Sequence, residues 1–489
     1  MKKYILSTAF LSLLITACSK SNFDPKVDEY LTDQRKEELK TDVNTKAKLL
    51  QVELNGIYNN NVAAQSSDDD SSFGLKSIHL SSDLTGQDMV QASYHWYGYD
   101  YYFNMRNATY MRTSFMWSFL YWQISAINKL LANYFAEVPT EQVLYQKYAE
   151  LKSMRAIYYY YLVNLYQHSY KGNETKLGVP LMLKPTDGKL ARATVAEVYR
   201  QMEEDLSVVD DARFTITESK EDVDKAVAAA YLAKVYAHKE EWARVAQYAQ
   251  IVLNAANFSY TSMGEVQGAK WDISTSSWLW GYDITQQTSS LWGSFYAHID
   301  NTIAQGYAGG SGAYKNIYSN LYAKIADTDV RKKLYINSTL FPAIADRYRL
   351  PNYANVKYAT DQRFLGDYCF IRIEDPFFLY VEALVEQNDL STAKTTLEDF
   401  MHNYRDPSYT LTATTQAAMR EEVRTQRRIE LWGEGTSFFD FKRWHLGVDR
   451  TEAGSNHTFK VTVPAGDKRW VYQIPQAEIE SNAKMVQNE

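Results

Sequence analysis

Apolar positions recur every three to four residues along most of the chain, which is the spacing of a buried helix face. From Thr140 to Gln167 the positions Leu144, Tyr148, Leu151, Tyr158, Leu162 and Leu165 keep it, with Thr140 placed to cap the first turn. Thr194 and Glu197 form a Thr-x-x-Glu capping box that opens a segment running to about Asp211. A helix pair follows, Ala226 to Ala237 and Trp242 to Leu253, around the turn His238-Lys239-Glu240. A second pair, Pro376 to Gln387 and Ser391 to Tyr404, turns at Asn388-Asp389. Alanines at 229, 233, 237, 246 and 249, and again at 383 and 393, leave room for antiparallel helices to approach closely.

Two-helix units of this shape resemble tetratricopeptide repeats, but they are degenerate and scattered. The expected fold is therefore all-α, a scaffold of tetratricopeptide-like helix pairs with long irregular, loop-rich insertions. Trp117, Trp122 and Trp242 sit in amphipathic helices and read as core. Tyr158-Tyr159-Tyr160-Tyr161 cannot all face one way on a 3.6-residue period, so at least one must meet solvent, another helix or a partner. Two stretches break the periodicity. Residues 94–102 place six aromatic residues in nine positions, and residues 255–320 hold 8 of the 21 glycines and 4 of the 11 tryptophans. Within the latter, Gly306 to Gly312 reads as a flexible loop and lacks the Gly-Lys-Ser/Thr ending of a phosphate cradle. Loops that carry aromatic side chains on a rigid frame are where recognition is expected.

The N-terminus has its own pattern. Lys2-Lys3 precedes an uncharged stretch from Tyr4 to Ala17, too short for a span of about 20 residues but right for a secretory leader. Ile15-Thr16-Ala17-Cys18 looks like a lipobox, which makes Cys18 the expected lipidation site, 1–17 a leader and 18–40 a tether. Several acyl chains suffice for stable anchoring. Residues 41–489 then read as a single helical domain with its loop-rich insertion around 255–370. Cys369, in the apolar run Tyr368-Cys369-Phe370-Ile371, reads as a buried structural thiol.

Composition bears on chemistry. Tyrosine, at 39, outnumbers phenylalanine (20) and tryptophan (11) together, and a net charge of −7 without a basic block makes nucleic acid a poor partner. The eight histidines form no His-Glu-x-x-His and no Gly-x-Ser-x-Gly elbow occurs, so no metal, cofactor or enzymatic activity is expected. Asp68-Asp69-Asp70 lacks the glycine and distal glutamate of a calcium loop and reads as a solvated acidic turn. Paired glycosidase carboxylates, roughly 5–10 Å apart, leave no sequence signature. An aromatic excess with no catalytic constellation points toward binding.

Residues 427–444 read Arg-Arg-Ile-Glu-Leu-Trp-Gly-Glu-Gly-Thr-Ser-Phe-Phe-Asp-Phe-Lys-Arg-Trp. They are similar to a signature of the RagB/SusD family of nutrient-binding outer-membrane lipoproteins, with Ser437 where arginine is usual and Gly433 where a bulkier residue is usual. Ile474 to Ile479 with Asn482 and Gln487-Asn488, Met154-Arg155-Ala156, Gly178 to Leu181, Arg372 and Glu382-Ala383 also resemble that family in order. Physically the 427–444 charges read as a structural network: Arg427 and Arg428 precede Glu430 and Glu434, and Asp440 and Arg443 pair on the next turn. The resemblance implies a SusD-like, lipid-anchored protein on the outer face of an outer membrane of the Bacteroidetes type. Its partner would be a SusC-like TonB-dependent transporter, and its ligand a glycan. Flat Tyr and Trp rings with a polar handle suit sugar faces. The expected ligand-binding residues are Trp96, Tyr97 and Tyr99 from the first loop region and Trp278, Trp280 and Trp292 from the second, with Gln87, Asp88 and Asp283 as polar partners. A peptide ligand, or a lid that binds no nutrient, are the alternatives.

Overall fold

The computed structural model describes residues 33–63, 69–104, 106–268, 271–360 and 363–488. The leader at 1–17, Cys18, most of the 18–40 stretch and Asp68 lie outside them. Helix Asp33–Leu39 falls inside the stretch read as tether, and the adjoining Lys40 ammonium sits 4.5 Å from the centre of the Tyr134 ring.

Helix Gln142–Tyr166 is the spine, packed between Val43–Asn60, Met111–Tyr134 and Val195–Leu206. All four of Tyr158 to Tyr161 are buried because this helix is covered on every side. Each hydroxyl then needs an internal partner. Tyr158 donates to Asn61 Oδ1 at 2.9 Å and Tyr159 to the Met182 carbonyl at 2.8 Å. Tyr160 pairs with His238 Nε2 at 3.2 Å, and Tyr161 with both His79 Nε2 and the Tyr231 hydroxyl at 2.8 Å. Both expected helix pairs form, as Lys225–Lys239 with Trp242–Leu253 and Glu374–Glu386 with Leu390–Tyr404. The Thr194–Glu197 capping box is made in both directions. Among the described residues, no helix is long and apolar enough to cross a membrane.

Trp122 departs from the expected core: it is 51% exposed on Met111–Tyr134, whose buried stripe runs through Met116, Trp117, Leu120 and Ile124. Gly306 to Gly312 is a packed turn, not a flexible loop. Tyr307–Gly310 is helical, and a Cβ on Gly309 or Gly310 would lie 2.5 Å from the Ile303 carbonyl oxygen or 2.4 Å from that of Ala304.

The 427–444 motif builds a buried charge network. Glu430 accepts from Arg405 at 2.7 Å, Arg372 at 2.8 Å and Arg331 at 3.1 Å, and Glu434 from Arg372 at 2.7 Å and Lys357 at 2.6 Å. Asp440 joins Arg427 at 2.7 Å to Arg443 at 2.8 Å, and these reach Asp375 and Glu382 on Glu374–Glu386. Burial alone would raise the Glu430 pKa, but Arg405 and Arg372 outweigh it and hold the carboxyl well below its ordinary range. Both departures from the family signature have a local reason. Gly433 has φ +80°, and a Cβ there would lie 2.6 Å from the Tyr358 ring. Ser437 packs against Gly86 so closely that a Cβ on Gly86 would come within 2.1 Å of its Oγ, which leaves no room for arginine.

Three two-stranded antiparallel sheets occur among the described residues. Met89–Gln91 pairs with Lys315–Ile317, Met89 opposite Ile317. This pairing ties the 92–102 aromatic segment to the 300–314 segment, although 197 residues separate them in sequence. Trp278–Tyr282 pairs irregularly with Tyr368–Arg372. Burial within the second sheet raises the Cys369 thiol pKa, in keeping with a structural cysteine.

Candidate ligand-binding face

The nine expected ligand residues separate into three groups. Trp278 and Trp280 are each 1% exposed and belong to the core. Their strand is covered on both sides: Trp278 packs on Trp271 at 5.9 Å and Trp280 on Phe370 at 4.5 Å. Tyr97, Gln87 and Asp88 are buried as well, each with structural partners. Tyr97 donates to the Ser71 carbonyl at 2.9 Å beneath the Arg112 guanidinium. Gln87 bonds the Asp449 backbone in both directions, at 2.6 and 2.9 Å. Asp88 accepts from Arg428 at 2.5–3.1 Å and so belongs to the charge network. All five are buried against structural neighbours, with Trp278 and Gln87 each bordering a cavity. Trp96 and Tyr99 are half-buried, while Trp292 and Asp283 are exposed.

The aromatic segment sends its rings to two sides. On one side Trp96 meets Tyr307 edge-on, centroids 6.2 Å apart at 75°. His95 lies 4.8 Å from the same tyrosine, and His298 stacks on it at 4.9 Å and 23°. The Tyr307 hydroxyl donates to the Asp70 carboxylate. Burial first, and that bond second, raise its pKa. Burial lowers the His298 pKa well below its usual value, so the ring is neutral and its Nε2–H donates to the Asp70 carbonyl at 2.8 Å. The acidic turn is thus a structural anchor rather than a solvated loop; Asp69 is 2% exposed and accepts from Ser71 N and Oγ at 2.9 and 2.6 Å. Six residues before His298 stands Trp292, 57% exposed, beside Leu291, 59% exposed with φ +50°. A left-handed leucine with its side chain in water is an unfavourable combination that packing alone does not explain.

On the other side Tyr94 packs edge-to-face on Tyr99 at 5.5 Å and tilts against Tyr102 at 5.6 Å. Gly98 permits this, since a Cβ there would sit 2.8 Å from the Tyr94 ring. Tyr94, Tyr99 and Tyr110 line a cleft of 510 Å³ closed by residues 468–473.

Tyr94, Tyr110 and Tyr307 were not singled out from sequence. A glycine inside an aromatic run, as at Gly98, is the one local signal that a ring folds over the backbone there. Tyr307 joins Trp96 only through the strand pairing. Among the described residues, no cluster of His, Cys, Asp or Glu is arranged to hold a metal ion.

Residues 347–489 match the family model of the SusD family, and residues 29–237 match a SusD-like model described as starch-binding and associating with the outer membrane. No curated protein matches the sequence significantly. Solved structures share the fold. A SusD-like carbohydrate binding protein from Bacteroides vulgatus is 20% identical with a TM-score of 0.76, over 90% of this chain and 97% of that one. A SusD superfamily protein from Bacteroides thetaiotaomicron is 21% identical with a TM-score of 0.75, over 91% and 99%. Surface glycan-binding protein A from Bacteroides fluxus is 19% identical with a TM-score of 0.68, over 90% and 98%. Matched by SusD-type models in both its N-terminal and C-terminal parts, and folded like SusD superfamily structures along nine-tenths of its length, this chain belongs to the SusD family.

Proposed function

We propose that the protein captures a glycan at the Trp96–Tyr307 face and passes it to a SusC-like TonB-dependent transporter, while anchored to the outer membrane by acylated Cys18. The observation that carries the ligand assignment is the half-buried Trp96 ring held edge-on to Tyr307, which is itself fixed by Asp70 and His298. A fixed ring offers a sugar a flat apolar plate at little entropic cost, and each stacked ring contributes about 0.5–1.5 kcal/mol. A few such contacts give modest affinity and ready release, which suits a hand-over. Trp292 extends the face; the six residue steps from it to His298 span at most about 20 Å. The match to a model described as starch-binding and associating with the outer membrane supports the same reading.

Calorimetric titration of the full-length protein in detergent with neutral oligosaccharides tests the ligand class. Heat of binding from at least one glycan series is expected. Silence across the panel, together with binding of oligopeptides, overturns the proposal in favour of a peptide ligand. For the anchor, Cys18→Ala is expected to leave the membrane fraction, and its retention there overturns lipidation.

A further inference from the structure

The 510 Å³ cleft beside the aromatic segment is lined by neither Trp96 nor Tyr307 and has a different chemistry. Its volume falls within the range of small-molecule sites, about 300–1,000 Å³. One wall carries Tyr94, 55% exposed, Tyr110, 37% exposed, and Tyr99. The exposed side chains of Asn104 and Asn107 line it and make no hydrogen bond among the described residues.

Charge sets the cleft apart. Its lining includes Arg106, Lys468 and Arg469 and no Asp or Glu. Arg469 is neutralised by Asp467 just outside, at 2.8 Å through two bonds. Arg106 is not neutralised. It is 6% exposed, and its guanidinium lies 4.3 Å from the centre of the Tyr472 ring. It spends Nη2 on the Thr85 hydroxyl at 2.7 Å, whereas Nε and Nη1 have no hydrogen-bond partner among the described residues. Two further buried basic side chains donate to backbone carbonyls. Lys442 donates to the carbonyls of Gln167 and Trp470 at 2.7 and 3.1 Å, and Arg450 to those of Leu84 and Gly86 at 2.8 Å. Burial first, then repulsion from Arg106, lowers the Lys442 pKa well below that of a free lysine. A protein of net charge −7 thus keeps a locally uncompensated positive pocket under an open cleft with aromatic walls. Such a low-dielectric floor concentrates its field at the mouth.

We infer that this cleft is a second saccharide subsite, selective for a sugar that carries an anionic substituent, a carboxylate as in a hexuronic acid or a sulfate ester. The tyrosines cover the ring faces, Asn104 and Asn107 meet hydroxyls, Lys468 pairs with the anion, and Arg106 supplies positive potential from the floor. The inference rests on the glycan-binding reading and assigns this second subsite its own substrate class.

Three probes test it by calorimetry on the full-length protein: an oligogalacturonate, a chondroitin sulfate oligosaccharide and a neutral malto-oligosaccharide. At least one anionic probe is expected to bind, with affinity falling as salt rises from about 0.05 to 0.5 M. Lys468→Ala and Tyr110→Ala, both at exposed positions, are each expected to weaken it by about tenfold. Preference between the first two probes separates carboxylate from sulfate. Failure of both anionic probes while the neutral one binds overturns this inference and leaves the proposed function standing. Failure of all three likewise overturns this inference, while the proposed function falls only if the wider neutral panel is silent and oligopeptides bind. Anionic binding that is lost in Trp96→Ala but kept in Lys468→Ala places the anion at the other face and likewise overturns it. Anionic binding insensitive to salt removes the electrostatic basis and does the same.

Discussion

Two regions of this molecule treat their polar groups in opposite ways. Around Glu430, Glu434 and Asp440, five arginines (Arg331, Arg372, Arg405, Arg427 and Arg443) each face at least one carboxylate at 3.1 Å or less, in the dry interior where the last helices meet. Around residues 94–110, Tyr94 and Tyr110 and two amide side chains stand open, and the Arg106 Nε and Nη1 nitrogens have no partner among the described residues. Mutual satisfaction in the first region fixes a unique helix arrangement, since removing either partner strands a buried charge. The second region spends its polar groups sparingly on its own fold, and so has them available for a ligand. On the proposed reading, stability and recognition are housed in different parts of one chain.

The contrast can be broken most severely at its rigid end. Glu430→Gln leaves Arg331, Arg372 and Arg405 facing one another without their shared carboxylate. A loss of about 3–5 kcal/mol is expected in denaturant unfolding. A loss below about 1 kcal/mol, the range of exposed ion pairs, would mean that the network is not load-sharing in the way described.

Next in size is a pH effect at the seam between the network and the aromatic segment. Asp83 caps the turn after Glu434 by accepting from Gly435 N at 2.7 Å and Ser437 N at 3.3 Å. Burial pushes its pKa up to about 7, against the opposing pull of those two bonds. A carboxyl whose folded pKa is raised contributes stability that is fully present below its unfolded pKa, near 4, and is lost as pH rises through about 7. Wild type should therefore lose on the order of 3 kcal/mol relative to Asp83→Asn between pH 4 and 8. Parallel stability–pH curves for the two proteins would contradict the assignment.

Gly435→Ala sharpens the same comparison on steric grounds. At φ +83°, with a Cβ that would meet the His79 side chain at 2.5 Å, it should cost more than about 1 kcal/mol in thermal or denaturant unfolding. The smallest stability effects belong to the open region: Tyr110→Ala and Trp292→Ala should fall within about 0.5 kcal/mol of wild type. A large loss at either position would make these rings structural and remove the distinction.

Legibility from sequence divided along the same line. The helix pairs were readable because helical spacing acts locally, but of the 427–444 charges only the Asp440–Arg443 pair was. Glu430 and Glu434 take their partners from Arg331, Lys357, Arg372 and Arg405, all outside that motif in sequence, and Arg372 and Glu382 entered through the family resemblance. Accessibility of the proposed ligand residues was readable only where it follows from position in an irregular segment, as for Trp96 and Trp292. Trp278 and Trp280 looked equivalent to them, but a strand buried on both faces buries its tryptophans, and Phe370, which packs on Trp280, lies 90 residues further along the chain. Asp88 looked like a sugar partner because nothing local reveals Arg428, 340 residues later. Trp122 shows the converse error: its helix is amphipathic, yet this position falls outside the buried stripe.

The central claim is that the fixed Trp96 ring is a recognition surface and not part of the scaffold. Its most direct test is calorimetric titration of Trp96→Ala, with unfolding measured on the same sample, using a neutral oligosaccharide that binds wild type. The account predicts unfolding within about 1 kcal/mol of wild type and affinity weakened by about 0.5–1.5 kcal/mol, up to roughly tenfold. Undiminished affinity, or a protein that no longer folds, would contradict it.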